Sequence, residues 1–381
     1  MIIHIVIGKN FGDEGKGLAT DFFAMTARKN GHSLVVVRHN GGAQAGHTVN
    51  LRDKKFIFHQ VSSGSFRFAD TYWAGTFLPD LYQLGNEVRG FGVMTGFIPK
   101  IFADGNARCA TVIDVIMNQM LESRRGDERH GSCGMGIDET VRRSKTPYVI
   151  RLEDLCSGSV DEIFGRLVSI RQEYIPERLD QLGLKPSDMG EYEALLNDDV
   201  ILRNWASKAK ENTQYVKIAP PDMLKSYDEV IFEGAQGLLL DEMNKEYAPH
   251  LTTSRTGLTN PVDIIRRVMP DEEESAEAVY VTRSYVTRHG NGPLPYEEKR
   301  AYFYDETNMP NEWQGTLRFA RDPGKEEGLK QVRRDVSENS FKGRVEIFVT
   351  HLNEVGTNSY GSRYESYSRY AEEVIVKSDA V

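Results

Sequence analysis

The sequence predicts an α/β fold in which helices flank a P-loop-like, mostly parallel central sheet. Residues 2–8 form a β-branched run that ends in glycine, followed by a glycine-rich turn and a helical pattern over residues 18–27. A second buried run, residues 34–37, also ends at a glycine-containing loop. Open α/β sheets bind ligands at the carboxyl ends of their strands, so we expect both loops to lie at one ligand site.

The remaining elements are expected to extend this sheet and cover it with helices. Further strands are predicted from apolar runs at residues 230–232, 278–281 and 345–349. Residues 105–225 are charged and mostly helical in pattern and predict a helical subdomain, with the clearest periodicity at residues 110–122 and 160–182. We interpret residues 1–381 as one domain.

One polar segment, residues 308–327, predicts a long loop. It contains prolines and glycines together with Arg318 and Arg321. A long polar loop inside a compact domain is usually functional or disordered. Residues 356–370 are rich in Ser, Tyr and Arg without periodicity, and they support no assignment.

Composition excludes several classes of protein. The chain has 47 Lys and Arg against 56 Asp and Glu, a formal net charge of −9. An acidic chain binds nucleic-acid backbones poorly, so we expect no nucleic-acid partner and a local site for any phosphate. No apolar run approaches the roughly 20 residues of a membrane helix, and the three scattered cysteines suit neither a disulfide framework nor a zinc site. We therefore expect a cytoplasmic location without membrane attachment.

The strongest chemical signal is the loop Gly12-Asp-Glu-Gly-Lys-Gly17 between the first strand and the first helix. Its glycines let the backbone approach a phosphate, the helix N-terminus favours an anion, and Lys16 adds a positive charge. In a Walker motif the position of Gly17 would hold the magnesium-binding Ser or Thr. Asp13 is therefore the candidate magnesium ligand and a possible general base. A tight acidic turn that caps the helix is the structural alternative.

A second glycine loop, Gly41-Gly-Ala-Gln-Ala-Gly-His-Thr48, contains another candidate catalytic residue. A histidine beside a phosphate can donate to developing negative charge, so His47 is a candidate acid or electrostatic stabiliser. Taken alone, this histidine is equally well interpreted as a structural residue.

Four motifs, in this order along the chain, resemble the adenylosuccinate synthetase family. They are FGDEGKG at 11–17, GGAQAGHT at 41–48, FEGAQG at 232–237 and PHLTTS at 249–254. The resemblance extends from residue 2 to about residue 353. The family joins aspartate to C6 of IMP through a 6-phosphoryl intermediate, using GTP and Mg²⁺. The resemblance thus implies a carbon–nitrogen ligase of purine biosynthesis.

The resemblance also implies roles for the loop residues. Asp13 would remove the N1 proton of the 6-oxopurine and bind Mg²⁺ together with Gly46. His47 would stabilise the γ-phosphoryl oxygens and O6, and Lys16 would neutralise charge between the two nucleotides. The phosphates of the nucleoside triphosphate would contact Gly12, Glu14, Gly15, Lys16, Gly17, Gly46 and Thr48.

The acceptor nucleotide and aspartate are assigned in the same way. The acceptor would contact Asp13, Lys16, Gln44, Ser132, Cys133, Arg142, Gln236 and Thr252. The amide of Gln236 both donates and accepts hydrogen bonds and suits a purine edge. In the family the arginine after this helix crosses a dimer interface, so Arg142 or Arg143 implies a homodimer. Aspartate would be held by Thr316, Arg318 and Arg321.

Departures from the family pattern leave the exact substrates open. Asn353 stands where the family has an Asp that reads guanine. A carboxylate accepts two hydrogen bonds from the guanine edge, whereas an amide offers one acceptor and one donor. The triphosphate that donates the phosphoryl group is therefore GTP or ATP. Gln44 replaces an Asn, Cys133 a Thr, and Met135 an Arg. These features are similar to phage-type relatives, which condense dGMP with aspartate using ATP or dATP. Asp13 favours IMP, because the phage enzyme has a Ser there.

Two alternatives follow. One is the phage-type synthetase, which would make 2-amino-2′-deoxyadenylosuccinate and act in the host cytoplasm. The other is a catalytically inactive purine-nucleotide-binding regulator. Retention of Asp13 and His47 argues against the regulator, since binding alone needs neither a base nor an acid.

Overall fold

The computed structural model describes residues 1–126, 129, 131–298, 308, 313, 315–355, 358–367 and 373–377. Its strands are β1 Ile2–Gly8, β2 Leu34–Arg38, β3 His47–Leu51, β4 Lys54–Phe58, β5 Asp70–Trp73, β6 Ile101–Ala103, β7 Val216–Ile218, β8 Glu229–Gly237, β9 Glu277–Arg283, β10 Val286–Arg288, β11 Arg318–Ala320, β12 Arg344–Thr350, β13 Tyr364–Ser366 and β14 Val374–Val376. Ten of these strands form the central sheet, in the order β14-β13-β12-β9-β1-β8-β2-β5-β6-β7. All neighbours in this sheet are parallel except β13 and β14.

Helices cover the sheet. They are α1 Lys16–Lys29, α2 Leu81–Thr95, α3 Val112–Arg125, α4 Ile137–Arg143, α5 Leu152–Ser157, α6 Val160–Ser169, α7 Ile175–Gln181, α8 Glu191–Asn197, α9 Asp199–Asn212, α10 Thr259–Val268, α11 Lys325–Gly328 and α12 Lys330–Glu338. A π-helical turn, Ile170–Tyr174, joins α6 to α7. Within the described residues, no helix combines the length and apolar character needed to cross a membrane.

The central strand β1 is buried on both faces from Ile5 to Gly8, which explains why its sequence is apolar apart from His4. Ile3, Ile5 and Ile7 pack in one core cluster with residues of α10. Val6 belongs to a second cluster, where it joins residues of α1 such as Phe22. Burial of each such side chain contributes about 1.5–3 kcal/mol, so the strand that leads into the glycine loop is firmly anchored.

The predicted fold class is confirmed, and each of the five predicted strands belongs to the central sheet. The short strands β5, β6 and β7 were not predicted, and β7 lies inside the segment expected to be helical. The single-domain interpretation stays a prediction.

The expectation of a loop throughout residues 308–327 is wrong at residues 318–320, which form β11, and at residues 325–327, which belong to α11. Strand β11 pairs antiparallel with β10, and its residues Phe319 and Ala320 are buried. Within the unassigned segment 356–370, residues 364–366 form β13.

Candidate functional site

The buried side chain of Glu14 shapes the loop between β1 and α1. Its Oε1 accepts hydrogen bonds from the backbone N–H groups of Asn10 (2.9 Å) and Gly12 (2.8 Å). Its Oε2 lies 2.9 Å from Lys16 Nζ, and both side chains are almost fully buried. The Glu14 side chain thus builds the loop and neutralises Lys16, and only its backbone is suited to a phosphate contact.

The loop takes a conformation that glycine favours. Gly12 and Gly15 have φ angles of 106° and 100°, and Asp13 between them has a φ of 62°. A non-glycine residue in this region is strained unless its surroundings hold it. Arg283 Nε donates to the carbonyl oxygen of Asp13 (2.5 Å), and Thr350 Oγ1 donates to that of Glu14 (2.8 Å). Side chains from β9 and β12 therefore fix the loop.

The two glycine loops line one cavity. Its lining residues include Asp13, Glu14, Gly15, Lys16, Gly17, Gly46, His47, Thr48, Arg283 and His351. The carboxylate of Asp13 is 23% exposed and reaches this space. The fold thus brings the predicted base Asp13 and the predicted His47 to one cavity. Six of the seven residues predicted to bind the triphosphate, Lys16 among them, line the same cavity.

His47 is held by a buried carboxylate. Its Nδ1 lies 2.8 Å from Glu233 Oε1 on β8. Glu233 also accepts a hydrogen bond from the backbone N–H of Ser63 (3.2 Å), and Arg38 Nη1 lies 3.5 Å from its other oxygen. The imidazole is thereby fixed in orientation by groups on three separate elements.

Burial and charge set the protonation of this pair in the ligand-free chain. Burial lowers the pKa of His47 to about 4, although Glu233 favours the imidazolium. Burial raises the pKa of the Glu233 carboxyl, but the charges of His47 and Arg38 outweigh it and lower that pKa to about 2. At pH 7 Glu233 is therefore ionised and His47 neutral. Its proton is on Nδ1, which donates to Glu233.

Gln236 is the next-to-last residue of β8, and Gln44 lies on the loop that follows the neighbouring strand β2. Gln236 has a φ of 63°, a strained backbone conformation of the kind that clusters at functional sites. Asn40 joins this loop to β8, since its side chain exchanges hydrogen bonds with the backbone N–H and C=O of Ala235. Both polar atoms of the Gln44 amide are buried and have no hydrogen-bond partner among the described residues. Such an amide is suited to a ligand.

Other predicted acceptor contacts lie on separate loops. Ser132 Oγ donates to Asn118 Oδ1 (2.8 Å) and accepts from the backbone N–H of Gly134 (3.2 Å). The next residue, Cys133, is partly buried, and burial raises the pKa of its thiol to about 11. The thiol is therefore protonated at neutral pH. Thr252 donates its backbone N–H to Leu240.

The two candidate dimer arginines have different environments. Arg143 is fully buried and forms a bidentate pair with Asp114 (2.8 and 2.7 Å), the residue that also caps α3. Arg142 is half exposed and pairs with Asp138 one turn away on α4. Arg143 therefore stabilises the helices, and Arg142 is the arginine that can reach a ligand or a second chain.

The predicted aspartate ligands lie around β10 and β11. Arg318 forms a bidentate pair with Glu297 (2.8 and 2.5 Å), and its Nη1 also donates to backbone carbonyls. Thr316 is exposed, and the Arg321 guanidinium stacks over the Tyr296 ring at 4.6 Å. Glu297 thus occupies the fork of Arg318 that an aspartate carboxylate would need.

The predicted donor-base residue Asn353 is exposed in the turn after β12. Its neighbour His351 is buried and lines the cavity of the two glycine loops. Asn353 thus lies two residues from this cavity.

Asp13 and Gly46 fit a magnesium ion held mainly by phosphate oxygens. Both residues line the same cavity. In the parts of the chain that the structure describes, no group of three or more His, Cys, Asp and Glu side chains could hold a metal by itself. Mg²⁺ typically uses one or two carboxylates together with substrate phosphates, and a site with one carboxylate suits this pattern.

The fold and this cavity define the class of the chain: a P-loop-like α/β protein in which a glycine loop, the Asp13 carboxylate and a carboxylate-bound histidine line one cavity. The sequence model described as adenylosuccinate synthetase matches residues 5–334. The chain belongs to the adenylosuccinate synthetase family.

Curated relatives carry the same name. The adenylosuccinate synthetase of Clostridium botulinum (strain Alaska E43 / Type E3) is 30% identical over 305 residues, which cover 78% of this chain and 66% of the relative. That of Trichodesmium erythraeum is 29% identical over 305 residues, covering 77% and 64%. The chain thus spans about two thirds of the length of these relatives.

Two solved structures are similar in fold. Fully ligated adenylosuccinate synthetase from Plasmodium falciparum has a TM-score of 0.68 at 20% identity, over 92% of this chain and 77% of that one. Succinoaminodeoxyadenylate synthetase of cyanophage S-2L, bound to dGMP and to dATP as an energy donor, has a TM-score of 0.64 at 13% identity. That match covers 99% of this chain and 95% of the phage protein. At these identities the matches show the fold alone.

Sequence reasoning missed three residues of the site. Glu233 lies within the FEGAQG motif, so the sequence marked it as part of a family motif. The sequence contained no sign that its carboxylate pairs with His47. Arg283 follows the apolar run at residues 278–281, where the end of a strand was the available signal. Nothing in the sequence pattern pointed to His289, whose Nε2 lies 3.5 Å from Asp13 Oδ2.

Proposed function

We propose that the chain is a carbon–nitrogen ligase that condenses L-aspartate with a 6-oxopurine nucleoside monophosphate. The preferred reaction converts IMP to adenylosuccinate through a 6-phosphoryl intermediate, with hydrolysis of GTP or ATP. One observation carries the proposal: Asp13, Lys16 and His47 line one cavity. They supply the base, the positive charge and the imidazole that phosphorylation of a purine O6 requires.

In the first step Asp13 takes the proton from N1 of the purine. O6 then attacks the γ-phosphorus, and the bond to the β–γ bridging oxygen breaks and releases the nucleoside diphosphate. When the triphosphate enters the cavity, the ammonium group of Lys16 would leave Glu14 and pair with phosphate oxygens. The ammonium group thus keeps a negatively charged partner, because an unpaired buried charge is costly.

His47 can donate to the γ-phosphoryl group only through Nε2, because Nδ1 faces Glu233. In the ligand-free chain Nε2 carries no proton at pH 7. Phosphate charge beside the ring would raise the pKa of His47, since a nearby negative charge favours the imidazolium. We propose that triphosphate binding protonates His47 and prepares it to stabilise the transferring phosphoryl group.

In the second step the aspartate amine attacks C6, the C6–O6 bond breaks, and inorganic phosphate leaves with O6. The amine loses a proton as the new C–N bond forms. Thr316, Arg318 and Arg321 would hold the aspartate carboxylates, and Arg318 would exchange its partner Glu297 for the substrate. Mg²⁺, held by Asp13 and the Gly46 carbonyl, would supply charge neutralisation at the phosphate oxygens.

Donor and acceptor identities are the finer part of the proposal. Asn353 supports ATP as well as GTP, because one amide cannot accept both hydrogen bonds of a guanine edge. The phage alternative uses dGMP with ATP or dATP. It is supported by the match over nearly the full length of a phage protein that is bound to dGMP and dATP. A homodimer in which Arg142 crosses the interface and a cytoplasmic location stay predictions.

A substrate matrix tests the proposal. Purified protein is incubated with aspartate, Mg²⁺ and each pair of ATP or GTP with IMP or dGMP, and products are identified by mass spectrometry. Adenylosuccinate supports the preferred reaction, and a product from dGMP alone supports the phage-type reaction. Nucleotide binding without product in any mixture would refute the ligase and favour the inactive regulator.

A further inference from the structure

His289, directly after β10, lies against the proposed base. Its Nε2 is 3.5 Å from Asp13 Oδ2 and 3.3 Å from Asn308 Oδ1. The side chain is 15% exposed, so most of the ring is enclosed by protein. The imidazole therefore contributes directly to the environment of the carboxylate that abstracts the N1 proton.

The two ring nitrogens of His289 have different surroundings. Nε2 faces two oxygen atoms, both acceptors, and donates to them only when it carries the proton. Nδ1 is buried and has no hydrogen-bond partner among the described residues. A proton on Nδ1 would be an unpaired buried donor. The tautomer with the proton on Nε2 fits both observations, so that Nε2 donates to Asn308 Oδ1 and its N–H also lies within 3.5 Å of Asp13 Oδ2.

The backbone after His289 is held on both sides. Gly290 has a φ of 72°, and a Cβ added there would lie 3.0 Å from Gly131 Cα, so the two glycines are in close contact. Arg318 Nη1 donates to the carbonyl oxygens of Gly290 (3.0 Å) and Gly292 (2.8 Å). These contacts fix His289 between Asp13 and the arginine proposed to bind aspartate.

We infer that His289 is a positioning residue for Asp13. Its Nε2–H bonds to Oδ2 of the carboxylate and turns the other oxygen toward N1 of the acceptor purine. Catalytic hydrogen bonds tighten in the complex with substrate, so we expect the 3.5 Å contact between Nε2 and Oδ2 to shorten there. This inference rests on the proposed function, because the carboxylate needs this orientation only for proton abstraction.

Three variants test the role. His289→Leu removes the donor, whereas His289→Gln retains an N–H close to the place of Nε2. Asn291→Ala is the matched control, since this residue lies two positions away and its side chain donates to the Arg129 carbonyl. We expect His289→Leu to lower kcat by about 10–100-fold, the usual effect of losing a group that orients a catalytic ligand. The KM of the acceptor should stay within a few fold, and His289→Gln should recover most of the activity.

Two kinetic results would overturn the inference. One is a kcat of His289→Leu within twofold of the Asn291→Ala control. The other is equal impairment of His289→Gln and His289→Leu, which would indicate a packing role instead of a hydrogen bond.

A measurement without turnover separates this inference from the proposed function. In protein labelled with ¹⁵N-histidine, the His289 signals are assigned by their loss in His289→Gln. We expect a proton-bearing Nε2 whose resonance moves in Asp13→Asn. If the wild type makes no product but this coupling is present, the ligase proposal fails and the contact stands. A proton on Nδ1, or no response to Asp13→Asn, would refute the contact itself.

Discussion

Replacing Glu233 by Gln is expected to lower the free energy of unfolding by about 3–4 kcal/mol at pH 7. The carboxylate is fully buried and contacts His47, Arg38 and the backbone N–H of Ser63. Its pKa is lowered from 4.5 to about 2. At about 1.4 kcal/mol per pKa unit, a difference of this size corresponds to a few kcal/mol. An independent guide is the cost of breaking a buried ion pair, about 3–5 kcal/mol, because Arg38 would be left without its partner.

The pH dependence follows from the sign of the shift. A carboxyl whose pKa is lower in the folded state stabilises the protein above its unfolded pKa of 4.5, and this contribution is lost as pH falls toward 2. The stability difference between wild type and Glu233→Gln should therefore be constant from pH 8 to about 5. It should narrow below about pH 4.5.

Urea unfolding followed by circular dichroism at several pH values measures this difference. Glu338→Gln is the matched control, because it removes a carboxylate from an exposed pair with Arg334, where about 0.5 kcal/mol is expected. A Glu233→Gln variant within 1 kcal/mol of wild type at pH 7 would show that Glu233 is not a charged partner of Arg38 and His47. Such a result would also mean that Glu233 does not fix the orientation of His47.

Four further predictions concern the proposed chemistry and assembly. Asp13→Asn should lower product formation at least a hundredfold, since it removes the base, with little change in nucleotide affinity measured by calorimetry; turnover within a few fold of wild type would rule out Asp13 as the base. Asn353→Asp should raise the ratio of kcat/KM for GTP over ATP by about tenfold, through the regained acceptor; an unchanged ratio would remove Asn353 from the donor pocket. Arg143→Ala should destabilise the chain by about 3–5 kcal/mol, because it leaves Asp114 unpaired and buried, whereas Arg142→Ala should cost less than about 1 kcal/mol; equal losses in urea unfolding would contradict the assignment. If Arg142 acts across a dimer, mixing inactive Asp13→Asn and Arg142→Ala subunits should restore activity, and mixtures as inactive as their components would argue against this.

The sheet and the two glycine loops were predictable because their signals are local. Continuous apolar runs and the glycines that follow them are features of neighbouring residues, and they placed the five predicted strands. The strands β5, β6 and β7 have only three or four residues, too few to give a periodic signal. The strand at residues 318–320 was missed because its pairing with β10 depends on tertiary contacts.

The candidate site was predictable in its loops and not in its supporting contacts. Glu233 and His47 are 186 residues apart in sequence, and their contact depends on the order of strands in the sheet. The choice between Arg142 and Arg143 depends on Asp114, which lies on another helix. Such pairings between distant segments have no local signature in the sequence. Motifs therefore identify the candidate catalytic residues, and only the fold shows which side chains orient them.

The most direct test of the central claim follows the oxygen on C6 of the acceptor. The protein is supplied with IMP, or dGMP if the matrix selects it, labelled with ¹⁸O at O6, together with aspartate, Mg²⁺ and the preferred triphosphate. Released phosphate is then examined by mass spectrometry. Attack of O6 on the γ-phosphorus predicts one ¹⁸O atom in each phosphate released with product. Unlabelled phosphate would contradict the 6-phosphoryl intermediate.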